Sequence, residues 1–373
     1  MAPLQPVERS IREHVARGTP LNETDDPGRH AAYVVEAAER RGLRILQVGR
    51  DHYCFLGPDG AVGAIKNMVT SLTSDTAVPA ANSKHISKLL FQQHGVPVPR
   101  GQRFGRAEYE RALAWLRAAE GPVVLKPDAG RGGEAVTVGV TTEDGFARAW
   151  RAATASKESA GVLVEEQASG VDVRVLVVEG RAVAAASRIP AFVVGDGRSS
   201  VEALVAAKGE LRRRHAYLAR LPILADEAWL ARLGHSFESV PGDGEIVIMN
   251  GAANLSQGGE HVNVTARVHP DALHIAERAA ASIPGMGVAG IDLLLPSLDS
   301  AADAVVLEAN TGANLSIHHV PGYGEPVDVA GAIVDAMLAR ETASLSRWRR
   351  FRRSPAGKRL ARLARRIRPR RAG

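Results

Sequence analysis

The sequence predicts an α+β fold made of two or three packed subdomains. The chain has 373 residues, which is more than a single hydrophobic core usually organises. Segments with helical spacing alternate with short apolar runs, and Glu179-Gly180 joins two such runs in a pattern typical of a β-hairpin. A mixture of hairpins and helices favours α+β layers over a regular βαβ alternation.

The first part of the chain predicts an α/β subdomain over residues 1–75. Ala and Val recur at helical spacing over 29–42, where Gly42 ends the helix, and an apolar strand follows at 45–48. Gly, Pro and Asp over 57–60 indicate a turn. A connector rich in Ser, Thr and Ala then leads into the next subdomain.

A capped helix is expected to follow this connector. Ser83 can cap it, and the helix ends before Gly95. Its apolar residues Ile86, Leu89 and Leu90 are expected to line one face.

Helices and strands continue to residue 338, and a main domain over 76–340 is predicted, followed by a basic tail over 341–373. The predicted helices are 109–119, 144–155, 201–218, 270–283 and 326–338. The predicted strands are 122–126, 135–140, 162–166, 173–178, 181–186, 245–249, 288–295 and 304–308.

A lysine and a glycine-rich loop follow the strand at 122–126. Lys126 ends the strand, and Gly130, Gly132 and Gly133 lie in the loop. Glycines let backbone N–H groups approach phosphate oxygens closely, and a lysine adds a positive charge there. The patterns GxxxxGKS/T and GxGxxG are both absent. A plain hairpin turn therefore explains this segment equally well.

Three side chains with oxygen donors lie on the predicted strands 288–295 and 304–308 or directly after the second of them. They are Asp292, Glu308 and Asn310, of which the last two are two residues apart and share a strand face. Hard oxygen ligands suit Mg²⁺ held jointly by protein and nucleotide phosphates. Solvated acids without a function are the alternative.

A further polar group surrounds the strand at 162–166. Glu165 ends that strand, and acceptors in such a place can meet an adenine amino group or ribose hydroxyls. Asp172 and Arg174 share a face of the next strand, where the arginine could stabilise a transferring phosphoryl group or a tetrahedral intermediate. Surface acids and a structural salt bridge are the alternative. A polar loop from Asn254 to Gly259 could close over phosphates or be only a turn.

The order of these pieces resembles the ATP-grasp domain of cyanophycin synthetases and of the glutathione-synthetase part of bifunctional glutathione enzymes. The resemblance covers residues 70–338, about seven-tenths of the chain. It rests on the segments VTSLTSDTAVPAANSKHISKLLFQQHGVPVPRG, VVLKPDAGRGGEAVTV, VLVEEQASGVDVRVLVV, RIPAFVVGDGRSSVEAL, ANLSQGGEHVNVT and GIDLLLP with VLEAN.

The resemblance implies that two α+β subdomains grip ATP and that Mg²⁺ is required. By position, it assigns Lys84 and Lys126 to nucleotide binding, residues 130–134 to the flexible loop over the phosphates, Glu165 to the adenine and Asp172 to the ribose. It assigns Asp292, Glu308 and Asn310 to the metal ion. It assigns Arg174 and Lys126 to catalysis and, less directly, Arg188 to contact with substrate or phosphate. The implied activity is an ADP-forming ligase that joins a carboxylate to an amine through an acyl phosphate.

The chain departs from the family pattern in two places. The relatives usually have Asp-Lys where this chain has Ser83-Lys84, and cyanophycin synthetases continue into a Mur-ligase-like domain where this chain has a basic tail. We therefore expect a stand-alone ligase for amino acids or peptides, and a homo-oligomer. A catalytically silent ATP-binding scaffold and an ATP-grasp phosphotransferase are the alternatives.

His318 and His319 could line the acceptor pocket, although a surface loop pair is the favoured interpretation.

The basic character of the chain belongs to its tail. Residues 342–373 contain thirteen Arg and Lys residues and no acid, whereas the remainder is net acidic. Leu360, Leu363 and Ile367 have helix-like spacing among these arginines, so an amphipathic helix could contact an anionic surface or an acidic partner. A disordered, solvated tail is the alternative.

Cys54 is the only cysteine and no signal peptide is evident, so a cytoplasmic location is expected.

Overall fold

The computed structural model describes residues 5–130, 133–156, 159–251 and 253–353, and within them it has the predicted α+β architecture. The strand pairs of every sheet are antiparallel. None of the described helices combines the length and the hydrophobicity that crossing a bilayer requires.

The chain begins with two helices and a four-stranded sheet, which we call the amino-terminal sheet. These elements are α1 (Gln5–Arg17), α2 (His30–Arg40), β1 (Arg44–Gly49), β2 (His52–Gly57), β3 (Gly60–Lys66) and β4 (Val69–Thr70), with the strands in sequence order across the sheet. Two helices follow, α3 (Ala77–Asn82) and α4 (Lys84–Gln93). The connector rich in Ser, Thr and Ala thus contains the end of β4 and the whole of α3.

A second four-stranded sheet holds the glycine-rich loop, and we call it the glycine-loop sheet. Its elements are β5 (Gly101–Gly105), α5 (Tyr109–Arg117), β6 (Val123–Pro127), β7 (Thr137–Val140), α6 (Glu143–Ala155) and β8 (Gly161–Glu166), with strand order β5-β8-β6-β7. Phe104, Phe146 and Trp150 are buried between this sheet and its two helices. The sheet therefore has a hydrophobic core of its own.

The central sheet has five strands in the order β13-β10-β9-β14-β15. The remaining elements are β9 (Val171–Val178), β10 (Arg181–Ile189), β11 (Phe192–Val194), α7 (Val201–Arg212), α8 (Ala216–Ala219), α9 (Glu227–Arg232), β12 (Ile246–Ile248), a 3-10 turn (Leu255–Gln257), β13 (Glu260–Asn263), α10 (Pro270–Ser282), β14 (Val288–Leu295), β15 (Val305–Asn310), α11 (Ser316–His319) and α12 (Val329–Arg353). Strands β11 and β12 pair separately.

The two faces of the central sheet have different partners. Val173 and Val175 on β9 point into a core that contains α10, α3 and α1. Leu176 and Val178 point to the opposite face, where α2, α12 and the amino-terminal sheet cover them. Further along that second face β9 presents Asp172 and Arg174, so one end of the face is apolar and covered while the other is charged. This polar end forms the candidate site.

The structure differs from the sequence-based element prediction at two helices. The helix predicted over 201–218 is divided into α7 and α8, because the chain at His215 forms a bridge with Thr24 and the Ala216 N–H donates to the Thr24 carbonyl. The last helix begins later than expected and continues to Arg353, well into the basic tail. Leu360, Leu363 and Ile367, on which the amphipathic prediction rests, lie outside the described residues.

The apolar face predicted for α4 is largely exposed, and only Leu90 of its three residues packs against the core. The Ser83 hydroxyl caps the helix as expected, accepting from the Ile86 N–H at 3.3 Å. However, Ile86 and Leu89 are 46% and 45% exposed, whereas Ser87, Lys88 and Phe91 are buried. Hydrophobic spacing identified the helix, but tertiary packing turned a lysine inward.

Candidate functional site

The predicted metal ligands meet on neighbouring strands at the polar end of the central sheet. Strand register places Asp292 of β14 opposite Arg174 of β9 on one side and Glu308 of β15 on the other. Asn310 lies two residues beyond Glu308, and its Nδ2 donates to Glu308 Oε1 at 3.2 Å. The structure therefore brings together two carboxylates, a carboxamide and a guanidinium.

Two arginines hold the acids of this cluster in defined orientations. Arg174 donates through Nε and Nη2 to the two oxygens of Asp292, each at 2.6 Å. Arg188 forms the same kind of pair with Asp172, at 2.8 and 2.9 Å, and its Nη2 also donates to Asp292 Oδ2 at 3.0 Å. Bidentate pairs of this kind fix both partners geometrically.

The charges in this cluster shift its pKa values in opposite directions. Burial alone would raise the pKa of Asp292, but the charges of Arg174 and Arg188 outweigh burial and lower that pKa. Burial raises the pKa of Asp172, against the charge of Arg188, and the neighbouring Asp292 carboxylate adds to the rise. Asp292 is thus kept ionised, as a metal ligand must be. Arg188 occupies both oxygens of Asp172. The contact of Asp172 with the ribose stays a prediction.

A second charged group lies in the glycine-loop sheet and contains a residue that the sequence analysis missed. Glu165 is buried at the end of β8, where it forms ion pairs with Lys126 Nζ at 2.8 Å and with Lys88. Lys88 Nζ also donates to the Pro99 carbonyl at 3.2 Å. Burial lowers the pKa of Lys88 to about 8, against the Glu165 charge. The sequence did contain one signal for Lys88, since it follows Lys84 by about one helical turn and so lies on the same side of the helix.

Lys84 makes different contacts from the other two lysines. Its Nζ donates to the Gly130 carbonyl at 2.9 Å and lies 3.6 Å from Glu308 Oε2. Its backbone N–H donates to the Asp128 carbonyl at 2.8 Å. Lys84 is therefore located between the glycine-rich loop and a predicted metal ligand.

The glycine-rich loop and the Asn254 loop approach each other. Gly133 has a φ of +76°, and a Cβ placed there would lie 2.8 Å from Asn254 Nδ2. A larger residue there would displace the Asn254 side chain and would be strained at this φ. Arg212 anchors the Asn254 loop by donating to the Gly258 carbonyl, and to Leu221 O at 2.9 Å. Gly132 lies outside the described residues.

The loop after β15 lines the other side of Arg174. A Cβ on Gly290 would lie 3.5 Å from both Arg174 Cδ and Ala313 Cβ, which places that loop beside the guanidinium group. Asn314 Nδ2 donates to the Tyr217 hydroxyl at 2.8 Å. This side of the site is consequently polar and preordered.

The two histidines after this loop do not form a surface pair. His318 is buried, and burial together with the charge of Arg174 lowers its pKa to about 3. His319 stacks on Tyr33 with ring centroids 4.2 Å apart, and its Nε2 accepts from the Ala330 N–H. The favoured surface-loop interpretation was therefore wrong for His318, because α11 folds back onto the central sheet.

The donor set fits a hard divalent cation. Glu308 and Asn310 offer carboxylate and carboxamide oxygens, which suit Mg²⁺. Both oxygens of Asp292 accept from Arg174, and one also accepts from Arg188, so Asp292 would bind a metal ion only by giving up part of this pairing. Within the described residues, no group of three or more His, Cys, Asp or Glu side chains could hold a metal ion. Mg²⁺ that is shared with nucleotide phosphates commonly has one or two carboxylates.

The sequence is similar to those of known proteins over most of its length. Cyanophycin synthetase of Trichormus variabilis is 31% identical over 322 residues, covering 83% of this chain and 35% of that protein. The glutathione biosynthesis bifunctional protein GshAB of Desulfotalea psychrophila is 31% identical over 280 residues, covering 72% of this chain and 35% of that protein. No model of a protein family matches the sequence.

A solved structure shares the fold. The crystal structure of a bifunctional glutathione synthetase from Pasteurella multocida superposes with a TM-score of 0.60 at 24% identity, covering 83% of this chain and 43% of that chain. The fold and the site together define an ATP-grasp protein. The chain belongs to the ATP-grasp ligase family of these relatives, and it spans about a third of the length of the curated relatives that it matches.

Proposed function

We propose that this protein is an ADP-forming ligase that joins the carboxylate of one amino acid or peptide to the amine of another. The observation on which this rests is the row of Arg174, Asp292, Glu308 and Asn310 across three neighbouring strands. Such a row supports both the binding of a metal nucleotide and the stabilisation of negative charge beside it. ATP-grasp ligases use ATP, and we propose that this chain uses Mg²⁺ with it.

The nucleotide would lie between the two sheets. Lys126 and Lys88 offer cations at the end of the glycine-loop sheet, and Glu165 keeps both of them in place. Gly130 and Gly133 permit close approach of backbone to phosphate. Asp292, Glu308 and Asn310 would hold Mg²⁺ from the central sheet. Bound Mg-ATP would supply the phosphoryl group that turns a carboxylate oxygen into a leaving group.

Arg174 would stabilise the reacting carboxylate. Its guanidinium group is aligned by Asp292 and lies beside the loop that contains Ala313 and Asn314. A cation that is already oriented stabilises developing negative charge without reorganisation. His318 is kept neutral nearby and so adds no second positive charge. An amine could then attack the activated carbonyl carbon on this side.

An assay of ATP consumption with Mg²⁺ over paired amino acids and short peptides tests this function. We expect one pair to yield ADP, phosphate and a condensed product that mass spectrometry identifies. Glu308→Ala should reduce turnover by at least about a hundredfold, because it removes a metal ligand from the site.

The control is an exposed carboxylate remote from the site, Asp59→Ala, which should retain full turnover. ADP formation with a phosphorylated product and no condensation would instead support a phosphotransferase. Absence of Mg-dependent ATP binding by calorimetry would contradict both catalytic assignments.

Three further properties are proposals that follow from the family. We propose a homo-oligomer, which sedimentation would measure, and a cytoplasmic location. We also propose that residues 76–340 form the nucleotide-binding unit. Phe55 and Ile65 of the amino-terminal sheet share a hydrophobic cluster with Leu176 and Ile333, so residues 1–75 would fold together with that unit.

A further inference from the structure

Residues 190–259, which we call the inserted segment, leave the central sheet after β10 and return to it at β13. Ile189 and Glu260 are paired across the two strands at this neck. The inserted segment has a small hydrophobic core of its own, to which α7, α9, β11 and β12 contribute, and the Asn254 loop is its last part. Contacts at the neck therefore help to set where the Asn254 loop lies against the rest of the site.

Helix α7 directs two cations to this neck, one helical turn apart. Lys208 Nζ lies 3.1 Å from Glu260 Oε1 and donates to the Phe192 carbonyl at 2.8 Å. Arg212 is 3% exposed; burial lowers its pKa and the Glu260 charge opposes that change, so the two groups interact. Because Glu260 is fully buried, it has to be compensated by nearby cations. These three side chains form a buried charged group that holds α7 against the start of β13.

Arg212 also binds the backbone of two separate parts of the inserted segment. Its Nη1 donates to the Gly258 carbonyl at the base of the Asn254 loop, and its Nη2 donates to the Leu221 carbonyl, just after α8, at 2.9 Å. Gly258 has a φ of +88°, and a Cβ placed there would lie 2.4 Å from Ile223 Cα. The base of the loop is thus packed against the segment after α8, and Arg212 ties the two together.

Each of these two parts carries a side chain of the site. The Asn254 side chain lies beside the glycine-rich loop, where a Cβ on Gly133 would come within 2.8 Å of its Nδ2. The Tyr217 hydroxyl on α8 accepts from Asn314 Nδ2 at 2.8 Å, on the loop after β15. Arg212 therefore links the side of the site that faces the glycine-rich loop to the side that faces the loop after β15.

We infer that Arg212 is a positioning residue for nucleotide binding. It holds the base of the Asn254 loop so that the Asn254 side chain meets the phosphates beside the glycine-rich loop, and Glu260 keeps its guanidinium group in place. Arg212 is buried and acts only through the loop. The inference rests on the proposed function, since it takes Mg-ATP as the ligand of this site.

A double-mutant cycle on Mg-ATP binding tests this inference. We expect Arg212→Met and Asn254→Ala each to weaken binding about tenfold in calorimetry, as the loss of one hydrogen bond to a charged group implies. The double variant should bind no more weakly than Asn254→Ala alone, because both changes remove the same contact. Arg212→Lys, which keeps the charge and can donate to one carbonyl, should recover part of the affinity. Arg213→Met removes a neighbouring arginine whose side chain is 66% exposed, and this matched control should bind as the wild type does.

A second variant keeps the test decisive if Arg212→Met does not fold, which urea denaturation shows. Glu260→Gln retains the shape of the buried group without its charge, so it should weaken Mg-ATP binding in the wild type but not in the Asn254→Ala background. Losses that add in the double variants, or an unchanged affinity in Arg212→Met, would overturn the inference alone. The expected coupling in a protein that forms no condensed product would contradict the ligase assignment and support the inference. A wild type that does not bind Mg-ATP would contradict both.

Discussion

At the scale of single residues, buried charges organise this site through their partners. Glu165 is stabilised in its ionised form because Lys126 and Lys88 outweigh the effect of burial and lower its pKa. Asp292 is ionised for the same reason beside Arg174 and Arg188. Each sheet thus presents one acid between two cations. Removing a single partner from such a group leaves an uncompensated buried charge, which is strongly destabilising.

The lowered pKa of Lys88 predicts a pH dependence of stability. Because the folded protein binds this proton less tightly than the unfolded chain, the unfolded state binds more protons between about pH 8 and the ordinary lysine value of 10.5. The free energy of unfolding attributable to Lys88 should therefore rise with pH across that window, by on the order of 2 kcal/mol. Urea denaturation of the wild type and of Lys88→Met at several pH values measures it. Parallel pH profiles of the two proteins would contradict the prediction.

At the scale of elements, α4 shows how the start of one helix sets the site. Ser83 caps the helix, Lys84 contacts both Glu308 and the Gly130 carbonyl, and Lys88 contacts Glu165. The sequence predicted the cap, the helix and the end near Gly95. It did not predict the buried face, because periodicity groups Ile86 with Leu89 without saying whether that group meets the core. The family pattern has an acid in place of Ser83, and an acid can fill the same role.

Substitution of the capping residue Ser83 directly tests how much the cap stabilises the protein. Ser83→Ala should lower the free energy of unfolding by about 1 kcal/mol, since the Ile86 N–H loses its acceptor. Ser83→Asp retains an acceptor and adds a negative charge at the helix N-terminus, so its stability should equal or slightly exceed that of the wild type. Chemical denaturation compares the three proteins, and an unchanged free energy of unfolding in Ser83→Ala would contradict the prediction.

At the scale of the whole molecule, the amino-terminal region covers both faces of the central sheet. Helix α1 packs through Ile11 onto one face of the sheet, whereas α2 and the amino-terminal sheet cover the other face together with α12. Residues 21–30 run along α11 and the segment that follows it, where Asn22 Nδ2 donates to Pro321 O and Gly324 O, at 2.9 and 2.7 Å. The polar end of the sheet is consequently bounded by segments distant in sequence.

The basic tail predicts a further property of the whole chain. We expect the full chain to bind vesicles that contain anionic lipid and a chain truncated after Arg353 to bind them at least about tenfold more weakly, because clustered arginines gain favourable energy near a negative surface. Co-sedimentation with anionic and with neutral vesicles measures this. Equal binding of both chains, or equal binding to both vesicles, would contradict it, and the truncated chain should keep its ATP binding.

The sequence by itself determined the α+β class, the order of the motifs and the membership in the ATP-grasp ligases. It also predicted that Glu308 and Asn310 share a strand face, since alternation along a strand is a local property. Only the tertiary structure decided which charges are paired. The Arg188–Asp172 pair depends on strand register, the burial of His318 depends on how α11 folds back, and the inward orientation of Lys88 depends on which side of α4 meets the glycine-loop sheet. Local spacing fixes the relative placement of side chains within one element, whereas contacts between elements are set by packing over long sequence separations.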